Sequence, residues 1–166
     1  DALVNVDLNT REIKPNHTAL NIVRIGTSGS LQADIPVDSW VMSKYAIGLD
    51  NMLRSYLIEE HSVSELEDAF IAQTNWDLRK GRPTVVPCAE ALENKIYSNK
   101  FHKGFTGTAG GFYGPQGRVV RLNIQDPQLN SKMDAFNYNG TRMTNLEMET
   151  SAIYGLGKLL GHNCLS

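Results

Sequence analysis

Three short stretches of this chain gather residues that can do chemistry. The first is Arg24-Ile25-Gly26-Thr27-Ser28-Gly29-Ser30, which follows the apolar run Leu20-Asn21-Ile22-Val23. An arginine supplies a permanent charge and a fork of donors, while hydroxyls and glycine-exposed amides add neutral donors. Such a turn suits an anion, phosphate first among them. It lacks both the GxGxxG spacing of a dinucleotide turn and a Walker lysine. The same residues also suit an ordinary tight turn whose arginine is solvated.

The second stretch is Gly111-Phe112-Tyr113-Gly114-Pro115-Gln116-Gly117-Arg118. Gly114-Pro115 forces a turn. Phe112 offers an apolar face, and Gln116, a donor and an acceptor, matches a planar heterocycle with adjacent carbonyl and N–H groups. Arg118 can stabilise negative charge growing on such a ring. A plain surface turn is the alternative.

The third stretch is Thr144-Asn145-Leu146-Glu147-Met148-Glu149-Thr150. In extended chain, Glu147 and Glu149 share one face and Met148 takes the other. A carboxylate at a strand end can accept both hydroxyl protons of a ribose. Alternatively, Glu149 opens the next helix and complements its dipole, with Met148 as core filler.

The elements that must position these residues alternate along the chain. Ala19 to Ile25 reads as a buried strand. Trp40–Ser43 and Ile47–Asp50 mark a second strand and its closing turn. Ser62-Val63-Ser64-Glu65 has the form of a capping box, predicting a helix with Leu66, Phe70 and Ile71 inward. Gly81-Arg82-Pro83 breaks the chain, Cys88 to Ser98 reads as a helix, and Phe105 to Gly111 as a strand. Gly117 to Leu122 is ambiguous. Met143 to Met148 reads as a strand, then Glu149 to Leu160 as a helix ended by Gly161. Alternation of this kind favours α/β architecture, in which ligand sites gather at strand ends.

The 166 residues fit one domain, and 41% hydrophobic with 20% charged residues is ordinary for a globular chain. A net charge of −2 argues against bulk electrostatic binding of nucleic acid or anionic membrane. Cys88 and Cys164, far apart, suggest neither a disulfide framework nor a zinc site, and the four histidines share no metal-type spacing. No basic and apolar leader is visible at Asp1-Ala2-Leu3-Val4, so a cytoplasmic location is the default expectation and the sequons at Asn16 and Asn139 read as chance matches. Both ends look cut, with the first residues reading as a strand and Asn163–Ser166 opening a new apolar element. The expectation is a single domain, truncated, over residues 1–166.

Taken together, the three stretches resemble the nucleoside phosphorylase family, most closely its uridine phosphorylase branch, over residues 19 to 166. The family's R-x-G-T-[ST]-G turn matches Arg24–Gly29, its F-Y-x-x-Q-x-R stretch matches Phe112–Arg118, and its N-x-E-M-E-[ST] stretch matches Asn145–Thr150. The resemblance implies a three-layer α/β/α fold with a central mixed sheet. It assigns phosphate to Arg24, Gly26 and Thr27; the base to Ser28, Gly29, Phe112, Gln116 and Arg118; and the ribose to Glu147, Met148 and Glu149. Arg24, Arg118 and Glu149 would then carry catalysis.

Purine-cleaving relatives carry an aspartate in the strand-end loop, which here reads Thr108-Ala109-Gly110-Gly111-Phe112 without an acid. The expected reaction is therefore phosphorolysis of uridine to uracil and ribose 1-phosphate. Inorganic phosphate would be co-substrate, with no metal or organic cofactor. Purine phosphorolysis, nucleosidase action and a non-catalytic module that binds a nucleoside or nucleotide are the alternatives. The resemblance also implies a homodimer or hexamer with sites shared between subunits. It leaves out the family's N-terminal phosphate contact, its partner-subunit arginine and histidine, and its C-terminal strand, helix and flap.

Overall fold

A computed structural model describes residues 1–166. In chain order, the strands are β1 (Asn21–Val23), β2 (Gly29–Ser30), β3 (Trp40–Gly48), β4 (Thr84–Pro87), β5 (Phe101–Thr108), β6 (Asn137–Tyr138), β7 (Thr141–Glu147) and β8 (Asn163–Leu165). The helices are α1 (Ala2–Asn5), α2 (Ser64–Thr74), α3 (Glu90–Ile96), α4 (Leu129–Ala135) and α5 (Thr150–Leu159).

The main sheet runs β2-β7-β5-β3-β4, with β6 paired to β7. β3, β5 and β7 are parallel; β4 on β3, and β2 and β6 on β7, are antiparallel. The sheet is therefore mixed, as expected.

The period of two along the strands builds the layers. Ile47 and Val85 face one side, where Leu66 and Phe70 of α2 and Leu129 and Met133 of α4 pack. Ala46 and Val86 face the other, against Leu92 of α3 and Tyr154 of α5. Phe136 joins the first layer through edge contacts to Phe70 and Phe105, both with ring centroids 5.2 Å apart. Truncating a fully buried phenylalanine such as Phe70 costs about 3–5 kcal/mol.

Several local expectations change. Residues 2–5 form a short helix rather than a strand. β1 is not a buried strand: Asn21 and Val23 are exposed, because β1 has a single partner, β8, in a separate two-stranded sheet. The capping box does not form. The Val63 N–H donates to the Val85 carbonyl, so Val63 takes the cap position, and Glu65 accepts from the Tyr138 hydroxyl instead. The helix expected from Cys88 begins at Glu90, since Cys88 N–H still donates to Lys44 O as an extension of β4. Residues 117–122 form no strand. β4, α4 and the β6–β7 hairpin are additional elements. Asn139-Gly140 turns that hairpin with φ of 50° and 82°, the left-handed pair that a tight hairpin needs. No helix is long and apolar enough to cross a membrane.

Candidate active site

The three stretches meet at the carboxyl ends of β5 and β7. Register does the work. β1 lies parallel to β8 with Val23 opposite Leu165, and the Arg24 N–H continues the ladder to the Leu165 carbonyl. That places Arg24 beside Ser166, whose hydroxyl is 3.4 Å from Arg24 Nη1. Five residues later the same turn enters the main sheet, where Gly29 pairs with Leu146 and Ser30 with Asn145 on β7. The turn thus bridges the two sheets and is pinned at both ends.

Gly26 is needed for a steric reason. A Cβ there would sit 2.8 Å from the Arg24 guanidinium, which folds back over the turn. Arg24 Nη2 donates to Glu149 Oε2 at 2.5 Å and lies 3.8 Å from Glu147 Oε2. Thr27 and Ser28 line, with Arg24, Asn145 and Ser166, a cavity of about 670 Å³.

The two glutamates do not share a face. Glu147 is the last residue of β7, and its side chain is 2% exposed. Its Oε1 accepts from the Thr108 hydroxyl at 2.6 Å; its Oε2 accepts from the Glu149 and Thr150 N–H groups and the Thr150 hydroxyl, each at 2.8 Å. Alternation stops there because α5 starts. The chain turns at Met148, and Glu149 emerges with a half-exposed side chain. The carboxylate satisfying the orphan amides at the start of α5 is Glu147, not Glu149.

The aromatic turn is self-satisfied. Arg118 Nη1 donates to Gln116 Oε1 at 2.5 Å and to the Phe112 carbonyl at 2.7 Å. The Arg118 guanidinium lies 4.1 Å from the Phe112 ring centroid, covering one ring face. Gln116 is buried, its Nε2 left to donate, while Phe112 is exposed. A Cβ on Gly29 would be 3.3 Å from Arg118 Nη2, so the Arg24–Gly29 turn and the aromatic turn touch. A second cavity, about 750 Å³, opens beyond Arg118 against Tyr113 and Pro115.

Sequence reasoning missed the supports. Thr108, Thr150 and Ser166 hold Glu147 and Arg24, and Asn145 Nδ2 donates to Ser28 Oγ at 2.9 Å across 117 positions of sequence. Such partners carry no local pattern. Asn145 and Thr150 stood within the third stretch and Thr108 at a strand end, while Ser166 carried no local signal.

The fold and site define a mixed α/β domain in which an arginine-hydroxyl turn, a glutamine-arginine turn and a strand-end carboxylate are held together. The chain belongs to the phosphorylase superfamily, whose family model matches residues 4–166. It is 26% identical over 146 residues to a uridine phosphorylase of Thermococcus kodakarensis, a match covering 84% of this chain and 43% of that protein. Among solved structures it resembles the nucleoside phosphorylase of Trypanosoma brucei that shows uridine phosphorylase activity. The TM-score is 0.78 at 25% identity, covering 99% of this chain and 62% of that one. A uridine phosphorylase of Schistosoma mansoni in complex with thymine shares the fold, with a TM-score of 0.53 at 19% identity over 89% of this chain and 48% of that one. The chain therefore spans about half the length of these relatives.

Proposed function

We propose that this chain forms the nucleoside- and phosphate-binding part of a pentosyltransferase that cleaves uridine phosphorolytically to uracil and ribose 1-phosphate. The observation that carries the reading is the meeting of all three stretches: Arg24 on Glu149 at 2.5 Å and Gly29 against Arg118. Phosphate takes the Arg24 guanidinium with the Thr27 hydroxyl and the amides of the turn. Glu149, half-exposed beside it, releases Arg24 and accepts the ribose hydroxyls, and the Met148 main chain lies along the sugar.

Phosphate then attacks the anomeric carbon as the glycosidic bond breaks, the electron pair leaving with the base. Gln116 Nε2 and the free Arg118 donors stabilise the uracil anion at its carbonyl oxygens. Most of the acceleration comes from positioning and electrostatics, with no need for a metal or organic cofactor. Glu147, whose four hydrogen bonds occupy both oxygens, supports α5 and Arg24 and does not hold the sugar.

The deciding experiment is phosphate dependence, run on the protein that carries this chain. Uracil released from uridine only when phosphate is present supports the reading. Release without phosphate replaces it with hydrolysis, and binding without release replaces it with a nucleoside-binding module.

A further inference from the structure

A line of buried polar side chains crosses the main sheet beneath the anion turn. Ser43 on β3, Thr106 on β5 and Asn145 on β7 are 3%, 0% and 4% exposed. Ser43 Oγ is 2.6 Å from Thr106 Oγ1, Thr106 Oγ1 is 2.8 Å from Asn145 Oδ1, and Asn145 Nδ2 is 2.9 Å from Ser28 Oγ. Register sets Thr106 beside Asn145 and Asn145 beside Ser30, while Ser43, paired with Gly104 just before the irregularity in β3, reaches Thr106 diagonally. Ser43 and Asn145 reach the floor of the 670 Å³ cavity beside Arg24, and Ser28, at the end of the row, is exposed to it.

The row has a direction. Thr106 Oγ1 donates to Asn145 Oδ1, which also accepts from Thr144 Oγ1 at 2.9 Å, so the proton between Ser43 Oγ and Thr106 Oγ1 is that of Ser43. Thr106 therefore receives a proton and passes its own to Asn145 Oδ1. The Asn145 amide is fixed with its oxygen toward the core and its nitrogen toward the turn. Reversing the amide would take from the Thr106 and Thr144 hydroxyls the acceptor they share. Ser28 Oγ thus accepts from inside, and its own proton is left to point into the cavity.

We infer that Asn145 is a positioning residue which, through this row, makes Ser28 a dedicated hydrogen-bond donor to an acceptor oxygen of the bound substrate. The inference rests on the phosphorolytic reading for the identity of that substrate, because the acceptor is either an oxygen of phosphate or an oxygen of the nucleoside. A site that needed Ser28 as an acceptor would have no reason to fix Asn145 this way. The shared chemistry is a proton donor facing an oxygen lone pair.

The test uses the protein that carries this chain, with inorganic phosphate and uridine titrated separately. A ¹⁵N-edited spectrum of the Asn145 side-chain amide reads the hydrogen bond without any turnover. Ser28→Ala is expected to move one of the two Nδ2 protons. Ser28→Ala and Asn145→Ala are each expected to weaken one ligand about tenfold, the loss of one hydrogen bond. The double variant should be no weaker than either single one, and Ser28→Thr should restore binding. Weaker phosphate binding assigns the acceptor to phosphate; weaker uridine binding assigns it to the nucleoside.

Additive losses, equal losses for both ligands, binding of neither ligand by the unaltered protein, or an amide indifferent to Ser28→Ala would each overturn the inference. If Asn145→Ala does not fold, Thr106→Val removes the inner donor alone and is expected to weaken the same ligand by less. Uracil release without phosphate would defeat the phosphorolytic reading while leaving the amide result and the Ser28–Asn145 coupling intact.

Discussion

Arg24 Nη2 and Glu149 Oε2 stand 2.5 Å apart, joined from opposite ends of the chain by the pairing of β1 with β8 and the start of α5. Arg24 is largely buried and Glu149 half-exposed, so solvent screens the pair and its own contribution to stability is about 1 kcal/mol or less. The pairing matters for function. A carboxylate already sits on the cation that phosphate would use, and an incoming anion must displace it.

Arg24→Ala is expected to weaken phosphate binding about tenfold to a hundredfold, the range of a charge-assisted hydrogen bond. Nucleoside binding should change much less. Separate titrations of the two ligands check this, and equal losses would remove Arg24 from the anion site.

Glu149→Gln should split the two substrates in opposite directions. The amide keeps one acceptor but cannot take charge-assisted bonds from two ribose hydroxyls, so uridine binding falls. The same change frees Arg24 from a competing negative charge, so phosphate binding tightens. A fall in melting temperature with both ligands unchanged would instead make Glu149 a structural residue.

Gly26→Ala tests the fold-back of Arg24. The new methyl would lie 2.8 Å from the guanidinium, the far end of a flexible side chain that can swing away. Stability should hold within about 0.5–1 kcal/mol while phosphate binding drops. Urea unfolding beside phosphate titration separates the two effects; unfolding alone would contradict the geometry.

Glu147→Ala should be the costly change in this region. It leaves the Thr108 and Thr150 hydroxyls and two amides at the head of α5 without their acceptor. The loss expected for breaking such a buried charged network is about 3–5 kcal/mol. A midpoint shift in urea at constant slope would report it, and a loss under 1 kcal/mol would mean that the carboxylate does not hold α5.

Cys88 is buried in the second core layer, and burial first, then the Glu93 carboxylate, pushes its thiol up to about 12. The folded state therefore favours the neutral thiol, so this contribution to stability is lost as pH rises from 9.0 toward about 12. Alkylation of Cys88 in the folded protein should stay slow at pH 8 and become rapid on unfolding. Fast labelling of the native chain at pH 8 would contradict this burial.

The sequence by itself determined the α/β class and the three stretches that could carry chemistry, because both are written locally. Hydrophobic period sets each element, and turns such as Gly26-Thr27-Ser28-Gly29 carry their donors within a few residues. Leu66 and Phe70 were legible as core for the same reason. Tertiary structure decided which carboxylate does what. Local alternation put Glu147 and Glu149 on one face, but the long-range contact with Thr108 and the onset of α5 bury the first and turn the second toward Arg24. The capping box at Ser62 yielded to a hydrogen bond between Val63 and Val85, and the apolar run before Arg24 became a half-exposed strand because β8 is its only partner. Nor does any local pattern join Asn145 to Ser28, since that hydrogen bond exists only through the register of β2 on β7. Local propensity is worth tenths of a kcal/mol per residue, whereas satisfying a buried charge or amide is worth several, so where the two compete the tertiary partner prevails.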